Sequence, residues 1–173
     1  MTVGALLLEV RDNLRTLFKS HQYLNEHNIR LGLDGRPATA TSGGMFISIH
    51  LRDWTNPESQ LTQILKDEVG IICTITTRTR KNPEDRDPDA VLVNATTSLT
   101  NVANDIQASL HGNGTLVASA GRIEPLRWVA CIGPTEQYKD WFRSNDPYDS
   151  EQPVGYSMDV VFTGGANIRG IAC

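Results

Sequence analysis

The sequence predicts an α+β fold, with a single mostly antiparallel sheet and two amphipathic helices packed on one of its faces. Two stretches carry apolar residues at the spacing of one helical face, and several others carry them at every second position, as in half-buried strands. The order helix, strands, helix, strands differs from the strict alternation of parallel α/β folds. The length of 173 residues suits one domain, so residues 1–173 are assigned to a single domain.

The two helices are predicted from apolar stripes and capping residues. The first covers residues 2–18, where Thr2 is a suitable N-cap and the stripe consists of Val3, Leu6, Leu7, Val10, Leu14, Leu17 and Phe18. The second covers residues 98–110, with Ser98 or Thr97 as the cap and the glycines of "HGNG" as the end. Its stripe consists of Leu99, Val102, Ala103, Ile106 and Leu110.

Three strands are predicted between the helices. A short one covers residues 29–33, after which glycines and a proline indicate a loop. Residues 45–54 form a half-buried strand, whose apolar face consists of Met45, Ile47, Ile49 and Leu51. Residues 71–80 also alternate and are rich in β-branched residues, as is typical of a strand. The intervening residues 61–68 are predicted to form a short helix or a wide connection, since their apolar residues would share one helical side.

The C-terminal third, about residues 115–173, is predicted to add further strands. Both "TLVAS" and "LRWVACIG" are strand-like, and Pro134 suits the first turn of a short helix in "PTEQYKDWF". Residues 156–163 alternate and form the closing strand, and the glycine pair at 164–165 is explained by a turn.

Composition and cysteine usage narrow the class of protein. The net charge of −4 and the pI of about 5.5 disfavour a nucleic-acid-binding role. Cys73 and Cys131 lie in apolar runs and are predicted to be small buried hydrophobic residues, and Cys173 is predicted to be a free thiol. These three cysteines indicate a reducing compartment. The N-terminus lacks the basic region of a signal peptide, and no apolar run is long enough to cross a bilayer, so no membrane association is predicted.

The sequence shows no motif for catalysis or for binding a cofactor or a metal. His21 and His27 are six residues apart and fall on different sides of a helix, unlike the histidines of an H-E-x-x-H site. No catalytic, cofactor-binding or metal-binding residue is therefore assigned, and no cofactor is expected. A small-molecule enzyme or ligand-binding module is the alternative of a different class, and it predicts a pocket near His50 and Trp54. The tryptophans are expected to be core or interface anchors: Trp54, Trp128 and Trp141.

The candidate functional segment is a charged arm that follows the third predicted strand, at about residues 78–90. It mixes bases with acids and contains Pro83 and Pro88, which exclude it from the centre of a sheet. Such a segment is either a solvated hairpin tip or an arm that reaches over a neighbouring subunit and pairs charges there. The residues predicted to form a subunit interface are Arg78, Arg80, Lys81, Glu84, Asp85 and Arg86.

The order and size of these elements resemble those of a known protein family. An N-terminal amphipathic helix leads to a Gly/Pro loop ("GLDGRPATATSGG") and to a strand that begins after glycine ("GGMFISIHL"). A strand with a charged hairpin ("GIICTITTRTRKNPEDRD"), a second helix ("LTNVANDIQASL") and a late alternating strand ("GYSMDVVF") follow. This layout is similar to that of the tail terminator, or tail-completion (neck), proteins of long-tailed bacteriophages. The resemblance spans most of the chain, and the segment 115–153 is longer than the family pattern.

The resemblance implies a virion structural protein that is not an enzyme. Family members form a homo-oligomeric ring, expected here to be a hexamer, at the head-proximal end of the tail tube. The ring stops tube polymerisation, contacts the tail tube protein and the head-tail connector protein, and lets genomic DNA pass without specific binding. The implied location is the tail or neck of the virion, after assembly in the host cytoplasm. Another neck or head-completion protein, or a tail tube component, is the alternative within this class.

Overall fold

The computed structural model describes residues 3–37, 44–55, 64–78, 98–113, 125–142 and 153–170, with the backbone alone for residues 64–67 and 165–170. Within these ranges the elements are α1 (Val3–Leu17), β1 (Ile29–Leu31), β2 (Gly44–Thr55), β3 (Ile64–Arg78), α2 (Leu99–Leu110), β4 (Arg127–Gln137), a 3-10 helix (Lys139–Phe142) and β5 (Gly155–Gly170). The described residues thus form one five-stranded sheet and two α-helices, which confirms the predicted α+β class.

The strands lie in the order β1-β2-β3-β5-β4. β1 runs parallel to β2, and the other three pairings are antiparallel, as the prediction of a mostly antiparallel sheet requires. β3 is central, and its Ile71 lies opposite Leu51 of β2 and Phe162 of β5. Among the described strands, β1 and β4 are the two edges of the sheet.

The hydrophobic core lies between one face of the sheet and the two helices. Every second residue of the central strands points to this face and is almost inaccessible to solvent, as at Ile47, Ile71 and Val160. These side chains pack against the helical stripes, whose buried residues are Val3, Leu6, Val10 and Leu14 in α1 and Leu99, Val102, Ala103, Ile106 and Leu110 in α2. Since each buried side chain of this size contributes about 1.5–3 kcal/mol, this layer is the main source of stability.

Hydrogen bonds fix the ends of α2 and its contact with β4. Ser98 is the N-cap, and its Oγ accepts a hydrogen bond from the backbone N–H of Asn101 at 3.1 Å. At the other end, Nδ1 of His111 accepts a hydrogen bond from the backbone N–H of Trp128 at 3.1 Å. The end of α2 therefore holds the beginning of β4 in place. Both helices begin and end within about one residue of the predicted bounds.

The second face of the sheet is also covered, although the sequence predicts half-buried strands. Residues 32–37 and the 3-10 helix lie over this face, where Thr74 and Thr76 are only 2% and 1% exposed. The indole N–H of Trp141 donates a hydrogen bond to Oγ1 of Thr76 at 3.4 Å, and the guanidinium of Arg36 lies 5.8 Å from the centre of the Trp141 ring. Ser48, Thr74 and Thr76 of this face are thus hydrogen-bonded within the protein rather than to bulk water.

β3 and β5 are both longer than the sequence indicates. The prediction of a short helix or wide connection at 61–68 is wrong for residues 64–68, which belong to β3 and pair with residues 165–170 of β5. The predicted turn at 164–165 is wrong as well, since both glycines lie inside β5. Apolar residues at positions i, i+3 and i+4 fit a helix locally, but pairing between two strands that are already aligned outweighs this local preference.

β4 is also longer, and it is more exposed than expected. Pro134 lies within β4 rather than in the first turn of a helix, and the helical turn begins only at Lys139. Cys131, predicted to be buried, is exposed, because side chains on both faces of this edge strand are accessible to solvent. Cys73 of the central β3 is buried, as predicted. The predicted strand at 115–119 lies outside the described residues.

Candidate assembly surface

Of the six residues predicted to form a subunit interface, the structure describes Arg78. It is the last residue of β3 and lies opposite Gly44 of β2 and Gly155 of β5. Its guanidinium is 5.6 Å from the centre of the Phe142 ring, and this cation–π contact ties the beginning of the arm to the 3-10 helix. The other five lie outside the described residues, and their part in an interface stays a prediction: Arg80, Lys81, Glu84, Asp85 and Arg86.

β4 forms an exposed edge of the sheet. It pairs with β5 along one side, and no strand among the described residues lies along its other side. Three large apolar side chains of this strand are exposed, namely Trp128 at 39%, Val129 at 49% and Ile132 at 57%. Backbone hydrogen-bonding groups and apolar surface occur together on this edge, a combination typical of sites at which another chain is added to a sheet.

Two register shifts between β4 and β5 shape this edge. One occurs at Val129, which has no residue opposite it, and the other at Gly133 and Pro134. Gly133 has a φ of +115°, and a Cβ there would lie 2.9 Å from the carbonyl oxygen of Ser157, so the position requires glycine. Pro134 provides no N–H donor. Bulges and prolines at an edge disfavour pairing with arbitrary strands and turn side chains outward.

The opposite edge of the sheet is stepped. β1 covers the outer side of β2 only along residues 47–49. Beyond them β2 continues to Thr55 without a described strand on its outer side, and it exposes Leu51 at 36% and Trp54 at 54%. The step has the depth of one strand spacing, about 4.8 Å. Each chain therefore presents two different sheet edges with exposed apolar side chains.

A cluster of polar side chains lies beneath residues 32–37 and is the second candidate site. Oγ1 of Thr74 donates a hydrogen bond to Oδ1 of Asp159 at 2.6 Å, and Oγ of Ser48 donates one to the backbone oxygen of Asp34 at 2.7 Å. His50 lies near both carboxylates, and its Nδ1 is buried without a hydrogen-bond partner among the described residues. Burial lowers the pKa of His50, and the charges of Asp159 and Asp34 oppose this shift.

A neutral imidazole beside carboxylates could act as a general base, but it needs room for a substrate. The cavity described on this side of the protein has a volume of about 10 Å³, enough for one water molecule. Its lining includes Pro37, Phe46 and Ser48 but neither His50 nor Trp54. This cavity therefore offers no substrate site to the enzyme alternative, which predicts a pocket at those two residues.

The remaining reactive side chains give no catalytic or metal centre within the described residues. Burial, together with a smaller contribution from Asp159, raises the pKa of the Cys73 thiol to about 12. Such a thiol is not ionised at neutral pH and is a poor nucleophile. In the described part of the chain, no three His, Cys, Asp or Glu residues come together as metal ligands. Neither described helix is both long and apolar enough to cross a membrane.

Sequence reasoning missed the β4 edge as a surface. The run from Trp128 to Ile132 is apolar on both faces, which is the pattern of a strand buried on both faces. In the fold this run lies at the edge of the sheet, and its side chains are largely exposed. An apolar run that its own chain leaves exposed is the signal that indicates a contact with a further chain.

Comparison with solved structures shows that this fold occurs in a virion. A chain in the structure of the virion of a native gene transfer agent (GTA) particle is similar, with a TM-score of 0.51 and 16% sequence identity. The similarity covers 95% of this chain and 96% of that chain, so it extends over nearly the whole of both. At this level of identity the likeness shows the fold alone. No protein-family model matches the sequence, and no curated protein matches it either.

Proposed function

We propose that this protein is a structural component of a virion and acts as a tail terminator. In this role it forms a ring at the head-proximal end of the tail tube, stops polymerisation of the tube and docks to the head-tail connector. The observation that carries the proposal is the similarity in fold to a chain of a gene transfer agent virion, which covers 95% of this protein. The order of the elements along the sequence supports the more specific role.

The architecture suits a protein that acts by assembly. The helices cover one face of the sheet, and residues 32–37 with the 3-10 helix cover the other. Among the described residues, the edges of the sheet and the arm that begins at Arg78 are therefore the surfaces proposed to contact neighbouring subunits. A closed ring needs contacts between two different patches, and two different edges meet this need. The charges of the arm would set the register and the choice of partner more than the affinity.

The charge of the chain suits a ring through which DNA passes. With a net charge of −4, the subunit repels phosphate overall and provides no general affinity for nucleic acid. The tail tube protein and the head-tail connector protein are the partners on the two sides of the ring. Assembly takes place in the host cytoplasm, and the final location is the tail or neck of the virion.

Negative-stain electron microscopy and light scattering of the purified chain test this function. A hexamer of 19.1 kDa chains has a mass of about 115 kDa and should appear as a closed ring. A monomer or dimer at high concentration would contradict the proposal. Rings that stack into open tubes would instead favour a tail tube component. The length of β3 and β5, 15 and 16 residues, gives this second candidate its support.

The charged arm is tested by the double reversal Arg78→Glu with Arg80→Glu. We expect a weaker ring and a folded monomer, since the cation–π interaction between Arg78 and Phe142 contributes only about 0.5–1 kcal/mol to stability. Lys19→Glu is the matched control, because Lys19 is exposed just after α1. Circular dichroism verifies folding, and light scattering measures the mass. An oligomer mass that the double reversal leaves unchanged counts against the arm as an interface.

A further inference from the structure

We infer that neighbouring copies of this chain meet edge to edge, with β4 of one copy against the β1 and β2 edge of the next. The occupant of the exposed β4 edge is thus a second copy of the chain. The inference rests on the proposed function, because it concerns the contact that would close the ring. It assigns that contact to a surface that differs from the charged arm.

The directions of the strands permit this contact. β1, β2 and β5 run in one direction, and β3 and β4 run in the other. A rotation about an axis along the strands leaves these directions unchanged from copy to copy. It therefore places β4 antiparallel to β1 and β2 of the next copy, which is the more stable pairing. Each copy uses both edges, one for each neighbour.

The pairings across the sheet place opposite charges on its two edges at the same position along the strand direction, here called the same height. Arg127 of β4 lies opposite Thr163, Thr163 lies opposite Gly70, and Gly70 lies opposite Asp53 of β2. Arg127 and Asp53 therefore share one height and one face of the sheet. Arg127 is exposed, and the side chain of Asp53 is 42% exposed. If neighbouring copies are related by a rotation about an axis along the strands, without a shift along that axis, Arg127 of one copy faces Asp53 of the next.

One position further along β4, the match is apolar. Trp128 lies opposite Phe162, Phe162 opposite Ile71, and Ile71 opposite Leu51, all on the helix-covered face. Trp128 and Leu51 are 39% and 36% exposed, so a contact between them removes apolar surface from water. β1 has already ended at this height, and the step of about 4.8 Å beside β2 leaves room for the Trp128 indole.

Other occupants fit these observations less well. A two-fold contact between two β4 strands leaves both β1 and β2 edges open and stops at a dimer. A long strand from another protein would meet both the bulge at Val129 and the missing donor of Pro134, whereas β1 of a second copy is only three residues long, Ile29–Leu31. Contact through a face of the sheet would first displace an element that already covers it. The next copy offers a charge partner and an apolar partner at the required heights.

Charge reversals placed in separate chains test the contact. Arg127→Asp alone brings two acids together at every contact, and Asp53→Arg alone brings two bases together. We expect each variant to weaken each contact about tenfold and to lose the ring at concentrations at which the wild type retains it. Mixed in equal amounts, the variants should form the ring again. In an alternating ring every contact carries one acid and one base, so the mixture restores complementarity.

Controls separate this effect from unfolding. Lys19→Asp, an exposed reversal after α1, should leave the ring intact. Asp53 also bonds to Arg52 at 2.6 Å, so the fold of the Asp53→Arg chain is verified by circular dichroism. If this chain does not fold, Trp128→Ser replaces it, because Trp128 is 39% exposed and is not one of the buried core residues; its fold is verified by circular dichroism as well. Trp128→Ser is also expected to weaken the contact about tenfold.

The outcomes distinguish this contact from the proposed function. The edge contact is overturned, and the proposed function stands, if the wild type forms a ring that both charge reversals leave intact. The same holds if Arg127→Asp and the substitute variant Trp128→Ser both leave the ring intact. If the wild type forms no ring at any concentration, the proposed function fails. Reversals that abolish the ring both alone and in the mixture overturn the pairing of two different edges. A wild-type dimer that Arg127→Asp dissociates would instead indicate a β4–β4 contact and would also overturn it.

Discussion

Replacement of Thr74 by valine tests how the second face of the sheet is held. Thr74 is 2% exposed, and its Oγ1 donates a hydrogen bond of 2.6 Å to Oδ1 of Asp159. Thr74→Val keeps the β-branched shape and removes the donor, so the carboxylate loses a partner beneath residues 32–37. The change therefore isolates the hydrogen bond from the packing.

The size of the effect follows from the charge and burial of the partners. A hydrogen bond to a charged group contributes about 1.5–3 kcal/mol to the free energy of unfolding. Asp159 is only partly buried, so water replaces some of this interaction in the variant and about 2 kcal/mol is expected. For a protein of this size, 1 kcal/mol shifts Tm by about 2–4 °C, so Tm should fall by about 4–8 °C.

Thermal unfolding followed by circular dichroism measures this shift at a fixed, low protein concentration, so that assembly does not contribute. Thr163→Val is the matched control, because Oγ1 of Thr163 makes an exposed contact of 3.3 Å with Glu68. We expect the control to change stability by less than about 0.5 kcal/mol. Equal shifts for the two variants, or a Thr74→Val chain as stable as the wild type, would refute the account of the second face.

Three further outcomes are expected. Because burial lowers the pKa of His50, the unfolded chain binds a proton at a higher pH than the folded chain does. Stability should therefore fall as the pH drops through the ordinary histidine pKa. His50→Gln should make the decrease of Tm between about pH 8 and pH 5 smaller. Gly35→Ala would place a Cβ 2.6 Å from Oγ1 of Thr74, and the resulting overpacking should cost about 1–3 kcal/mol in urea unfolding. In the unassembled native chain, at low protein concentration, a thiol reagent should modify exposed Cys131 but buried Cys73 only after unfolding, as mass spectrometry of labelled peptides can measure.

The helices and the central strands could be predicted because their local pattern and their burial coincide. Val10 and Leu14 recur at helical spacing and are completely buried beneath the sheet. Ile47 and Ile49 alternate with polar neighbours and face the same core. In both cases the periodicity of the sequence reports directly on the side that faces the core.

The edges and the second face could not be predicted, because their environment depends on residues distant in the chain. The alternation of Thr74 and Thr76 with isoleucines indicates a solvated face, but residues 32–37 and Trp141 cover it. Cys131 lies in an apolar run and is exposed, since the order of the strands places β4 at the edge. Neither the cover nor the strand order is encoded in local periodicity.

The covering of both faces also bears on how the proposed assembly relates to folding. A chain that buries its polar second face beneath its own residues needs no partner to satisfy Thr74, Thr76 and Ser157. In the proposed ring, the protomer would then fold before it assembles, and contacts at the sheet edges would add to a fold that already exists. Changes at Arg127 or in the charged arm should accordingly alter the association of subunits, whereas changes at Thr74 should alter the stability of each subunit. The two classes of variant therefore separate assembly from folding in one set of measurements.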